Sequence, residues 1–79
     1  MEKDKGLENF MHNAAWFRKC KGLSKSEMAS LLHTSVQCIN EIESGIIPKE
    51  LSIYAISALA EGFKVNSAIL LLARLDKET

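Results

Sequence analysis

The stretch from Ser24 to Gly45 constrains the fold more than any other part of the chain. Glu27 follows Ser24 at the spacing of a capping box. The serine hydroxyl then accepts a first-turn backbone N–H, and the glutamate carboxylate returns to the N–H of the cap. A helix therefore begins at Ser24, with Met28, Ala29, Leu31 and Leu32 as its buried stripe. Ala29 is small enough to let a second helix cross closely. Thr34 or Ser35 is placed to cap that next helix. On it Ile39 and Ile42 point inward, which leaves Val36, Gln37, Asn40 and Glu41 outward or flanking. Gly45 closes it. Two short amphipathic helices joined by a tight turn result.

The flanking sequence has the same punctuation. Leu7, Phe10, Met11, Ala14, Phe17 and Lys21 fall at three- and four-residue spacing, the signature of one helix face. Gly22 ends that helix as a left-handed cap, and Leu23 precedes the next one. Residues 46–50 form a linker, because Pro48 forbids a continuing helix. A fourth helix is expected from Leu51 to Gly62, with Ile53, Ile56, Leu59 and Ala60 at helical spacing. Asn66 or Ser67 caps a fifth, carrying Ala68 to Leu75. No segment alternates as a strand does. The expected architecture is all-α, five short helices around one core. Residues 1–6 form a flexible N-terminal segment, 7–75 the domain, and 76–79 a C-terminal tail.

With 79 residues the chain is one domain. A domain of this size buries only about 60% of the surface its unfolded chain exposes, so its margin of stability is small. Disulfides are not expected to add to it. Cys20 and Cys38 lack a Cys-x-x-Cys spacing, and no signal peptide precedes them. They read as reduced thiols of a cytoplasmic protein, with a redox switch at Cys38 as the alternative. His12 and His33 show no ligand spacing with the cysteines, so neither a metal nor another cofactor is expected. No apolar run approaches the roughly 20 residues of a membrane span. Catalysis is not expected either, because no Gly-rich phosphate loop or nucleophile–base pair stands at motif spacing. The formal net charge is +0, which argues weakly against nucleic acid. However, Lys3, Lys5, Arg18, Lys19, Lys21 and Lys25 all lie in the first third, and local charge governs phosphate contact.

Residues 23–29 (Leu-Ser-Lys-Ser-Glu-Met-Ala), residues 39–45 (Ile-Asn-Glu-Ile-Glu-Ser-Gly), Leu59-Ala60 and Val65-Asn66 together resemble the Xre family of phage-repressor-type helix-turn-helix domains. The resemblance covers roughly residues 10–73. It implies a five-helix domain that binds operator DNA as a homodimer. The third helix would enter the major groove, and the start of the second would meet the backbone. Carried over, the base-reading positions are Val36, Gln37 and Glu41, with Asn40 beside them. Lys25 stands where the family usually has Gln, at the phosphate-facing helix start. Arg18 and Glu43 fall where the family commonly has a structural ion pair. His33 takes a turn position where the family prefers Gly.

The chemistry of these residues is consistent with those roles. An amide such as Gln37 or Asn40 can bond adenine N6 and N7 together, and Val36 can meet a thymine methyl. Glu41 can accept only from cytosine N4, and phosphates repel it; it either excludes wrong sequences or marks a surface that does not bind DNA. Lys25, the Ser35 hydroxyl and Lys49 can contact phosphates. The basic cluster usual after the third helix is absent, with Ile46 and Ile47 in its place. Trp16 lies off the first helix's stripe and fits either a partner interface or packing within its own chain. Residues 69–72 are apolar nearly all round their helix, so Ile69, Leu70 and Leu72, with Trp16, are the expected dimer interface. A two-fold dimer would set two third helices about 34 Å apart. The expected function is a transcriptional regulator that reads double-stranded DNA, controlled by its concentration, by dimerisation or by a regulatory protein partner. The alternative is an interaction module that keeps the fold with weak or lost DNA binding.

Overall fold

The computed structural model describes residues 5–49 and 51–75. It contains five helices: α1 (Lys5–Lys21), α2 (Lys25–Leu31), α3 (Val36–Glu43), α4 (Ile53–Phe63) and α5 (Ser67–Leu72). No strand occurs among the described residues. The sequence expectation of an all-α fold therefore holds, with shifted boundaries. α1 begins at Lys5, so Lys5 and Gly6 are helical rather than part of a loose N-terminal segment. Residues 1–4 and 76–79 lie outside the described residues.

α1 is the longest helix and the central one, packing on α3, α4 and α5. Glu8 in its first turn and Arg18, Lys19 and Lys21 in its last complement the helix dipole. Its inward face, Phe10, Met11, Ala14 and Phe17, meets Met28, Leu32, Ile39, Leu59 and Leu70 in one core. The ring of Phe17 packs edge-on against Phe63, with centroids 4.9 Å apart. It also lies where Gly62 has no side chain; a Cβ there would stand 2.9 Å from Phe17 Cζ. The capping box of α2 is present in both directions, Glu27 N–H to Ser24 Oγ at 3.0 Å and Ser24 N–H to Glu27 Oε1 at 2.8 Å. α2 packs mainly on α3, with Ala29 buried.

The first four helices end alike. A residue with positive φ follows the last turn at Gly22 (65°), His33 (59°), Gly45 (82°) and Lys64 (63°). The next residue's N–H returns to a carbonyl five positions back: Leu23 to Arg18, Thr34 to Ala29, Ile46 to Glu41 and Val65 to Ala60. This is the Schellman arrangement, which uses up carbonyls the helix leaves unpaired. Left-handed backbone at His33 and Lys64 costs about 1 kcal/mol each, because both carry a Cβ.

α5 ends differently. Its cap residue Ala73 is extended, and the helix stops at Leu72 rather than Leu75. The carbonyls it leaves open are taken by α1. Asn13, completely buried, donates to Leu70 O (3.1 Å) and Ala73 O (2.8 Å) and accepts from Leu75 N–H (2.7 Å). Asn9, one turn earlier, donates to Leu71 O at 3.0 Å and accepts from Arg74 Nε at 3.3 Å. Two asparagines on α1 thus substitute for a C-terminal cap on a helix about sixty positions away.

Three side chains depart from their expected faces. Leu31 is 37% exposed rather than part of the buried stripe of α2. Ile53 is 71% exposed at the first position of α4, while Leu51 before it and Ala55 and Ile56 after it pack on the core. Leu70 is fully buried, so it belongs to the core and has no surface to give a dimer interface.

Replacing Asn13 with Ala removes three hydrogen bonds and leaves Leu70 O and Leu75 N–H short of partners. Such a loss costs about 2–3 kcal/mol. Urea unfolding of Asn13→Ala is expected to show a destabilisation of that size, with amide exchange rising first in α5.

Candidate nucleic-acid interface

α3 is capped by Ser35 rather than Thr34. The Ser35 hydroxyl accepts the Cys38 N–H at 3.1 Å, so Ser35 serves as the cap. From that start, Cys38, Ile39 and Ile42 face the core, and each is at most 3% exposed. The same helical period turns Val36, Gln37 and Asn40 outward, with Glu41 half-buried at the flank. The free thiol of Cys38 is fully buried, which removes the access a redox switch there would need; Cys20 is exposed. Among the described residues no group of three or more metal-binding side chains converges.

The outer edge of α3 is tied to its neighbours by polar contacts. Lys25, at the start of α2, donates from Nζ to Asn40 Oδ1 at 2.7 Å. Gln37 Nε2 lies 3.4 Å from Glu41 Oε2, a long hydrogen bond along the helix edge. A groove of about 330 Å³ runs beside it, lined by Gln37, Glu41, Ile46, Ile47 and Lys49. Every residue expected to contact bases or phosphates is therefore on α3 or directly beside it, except that the Ser35 oxygen is already engaged as a cap. Lys25 and Lys49 supply positive charge to this face, and Glu41 opposes it. Ile46 and Ile47, 56% and 48% exposed, give the groove an apolar side.

Arg18 fixes how α3 sits. Its Nε and Nη2 donate to the two Glu43 carboxylate oxygens at 2.5 and 3.0 Å, and its Nη1 donates to Leu23 O at 3.0 Å. The pair joins α1, the α1–α2 turn and the end of α3. Both side chains are mostly enclosed, 19% and 17% exposed. The hydrogen bonds to Glu43 raise the Arg18 pKa above its usual value, burial opposes this, and the Glu43 charge adds to the rise.

The expected dimer residues are split apart. Ile69 and Leu72 are exposed on α5, at 38% and 75%, and Leu70 is not. Trp16 stacks on Phe63 of its own chain, with ring centroids 5.8 Å apart, so one face of the indole is already covered. Sequence reasoning missed Tyr54, 73% exposed at the start of α4, and the Asn9–Asn13 pair. Two asparagines one turn apart beside the apolar face of α1 were the available signal.

Removing one partner of the Arg18–Glu43 pair strands the other in a largely enclosed site, at about 2–4 kcal/mol. Glu43→Gln is expected to lower the urea midpoint accordingly. The double variant Arg18→Met/Glu43→Leu is expected to recover at least half of that loss; simple additivity of the two single changes would contradict a coupled pair.

No helix among the described residues is long and apolar enough to cross a membrane. Comparison of the chain with protein-family models, curated proteins and solved structures finds no match.

Proposed function

We propose that this chain is a sequence-specific DNA-binding transcriptional regulator of the phage-repressor helix-turn-helix type, acting in the cytoplasm as a homodimer. In this reading α2 and α3 form the helix-turn-helix unit, and α3 is the helix that enters the major groove. The observation that carries it is the outer edge of α3. Val36, Gln37 and Asn40 stand exposed along one side of a capped helix whose other side is locked into the core. A rigid helix with an open polar edge, flanked by Lys25 and Lys49, suits a groove about 12 Å wide. Gln37 and Asn40 supply groups for base edges, and Val36 supplies a surface for a thymine methyl. Lys25 and Lys49 contact phosphates. Ile69 and Leu72 on α5 contribute to the contact between copies. The chain acts by binding and not by catalysis.

A second reading is favoured by Ile46 and Ile47. Their exposure next to Gln37 and Glu41 suits an apolar protein partner better than a phosphate backbone. On that reading the same face is a protein-interaction surface.

Selection from a random duplex pool at low salt separates the two. A DNA reader enriches a site, and its affinity falls steeply with salt, in proportion to the phosphates it contacts. Gln37→Ala is expected to relax one base position, by about 1–3 kcal/mol, and to leave the others intact. Failure to enrich any sequence would contradict DNA reading and favour the interaction module.

A further inference from the structure

We propose that the cleft between α1 and the end of α3 binds a free aliphatic α-amino acid. The cleft has a volume of about 300 Å³, at the low end of the range for small-molecule sites. Its lining comes from three pieces of chain. Met11 and Ala15 on α1 and Ile42 on α3 give it an apolar side, with Met11 and Ile42 buried in the core. Glu8 and His12, one turn apart on α1, share it with Glu43 at the end of α3 and Arg74 beyond α5. An apolar wall with a few convergent polar groups is the usual composition of a metabolite site. The cleft shares no residue with the groove beside Gln37, so the inference stands whether or not the outer edge of α3 reads DNA.

The charges decide the ligand. Both carboxylate oxygens of Glu43 accept from Arg18, so that charge is offset within the protein. Glu8 and Arg74 then set the polarity of the cleft. Arg74 Nε donates to Asn9 Oδ1 at 3.3 Å, which places the guanidinium beside the turn of α1 that carries Glu8. The two terminal nitrogens of Arg74 make no hydrogen bond among the described residues. Their N–H donors form a fork whose geometry matches a carboxylate. Phosphate or a dicarboxylate would be repelled by Glu8 and Glu43, and an amine alone would be repelled by Arg74. A ligand with one carboxylate and one ammonium satisfies both signs. An aliphatic side chain then covers Met11, Ala15 and Ile42. Bound there, the ligand braces α1 against the end of α3 and stabilises the fold by mass action.

Titrations with L-leucine, isoamylamine and isocaproate test this; the last two are leucine without its carboxylate and without its ammonium. Amide chemical shifts of the chain are followed as each is added. L-leucine is expected to move the amides of residues 8–15, 42–45 and 74, to saturate by about 10 mM, and to raise the thermal unfolding midpoint. Both analogues are expected to bind at least about tenfold more weakly. Arg74→Gln is expected to weaken leucine by about the same factor, and Ala15→Leu to abolish binding by filling the cleft. Arg74 is exposed and Ala15 half-buried, and circular dichroism checks that both variants fold. Failure of leucine to saturate any shift in these residues overturns the inference. So does equal binding of the three molecules, or leucine binding that neither variant weakens. No DNA enters these titrations, so their failure is separate from failure of the reading proposed for α3.

Discussion

Arg18 directs its three guanidinium nitrogens at two separate pieces of chain, the Glu43 carboxylate and the Leu23 carbonyl. Everything proposed for the outer edge of α3 depends on that grip. α3 is only eight residues long, too short to be helical by propensity alone. Its orientation comes from what holds it. Ile39 and Ile42 anchor one face in the core, Ser35 fixes the first turn, and Arg18 pins the last turn to α1. With three attachments along eight residues, Gln37 and Asn40 have little freedom except in their own side-chain torsions. A short helix held this way can present a defined pattern of donors and acceptors.

The rest of the molecule follows a related logic, in which helix ends carry much of the specification. Four helices close with a left-handed residue and a carbonyl five positions back, so each turn direction is set locally. α5 has no such closure and borrows its cap from Asn9 and Asn13. The consequence is unequal cooperativity. α1 and α5 are joined by polar bonds centred on the buried Asn13, whereas α2 is held chiefly through α3. In a domain whose total stability is of the order of 5–15 kcal/mol, each of these contacts is a substantial fraction of the whole.

Much of this was legible in the sequence because caps are short-range chemistry. Ser24 with Glu27, Gly22 before Leu23, Gly45 and Asn66 each announce a helix end within a few residues, and each end lies there. The outward residues of α3 were legible as what remains once Ile39 and Ile42 are assigned to the core. The contacts among side chains were not. Asn13 bonds to residues about sixty positions away, and no local pattern reports that. Lys25 meets Asn40 only because the α2–α3 turn folds them together. Leu31, Ile53 and Leu70 were misplaced for one reason. Periodicity locates an apolar stripe, but the packing of neighbouring helices decides which of its members is sealed.

The chain's zero net charge bears on the proposed function through its local arrangement. Lys49 and Glu41 line the groove beside α3, Lys25 stands against Asn40 on the outer edge of that helix, and Ile46 and Ile47 leave one side of the groove apolar. On the proposed reading, such a surface would rely on base-edge contacts more than on broad phosphate binding. The most direct measurement is an amide chemical-shift titration of the chain with a mixed-sequence duplex at low salt. Contact through α3 is expected to move the amides of Lys25 and residues 36–41 furthest. Shifts centred instead on Ile53, Tyr54 and Leu72, with the outer edge of α3 unmoved, would contradict the account.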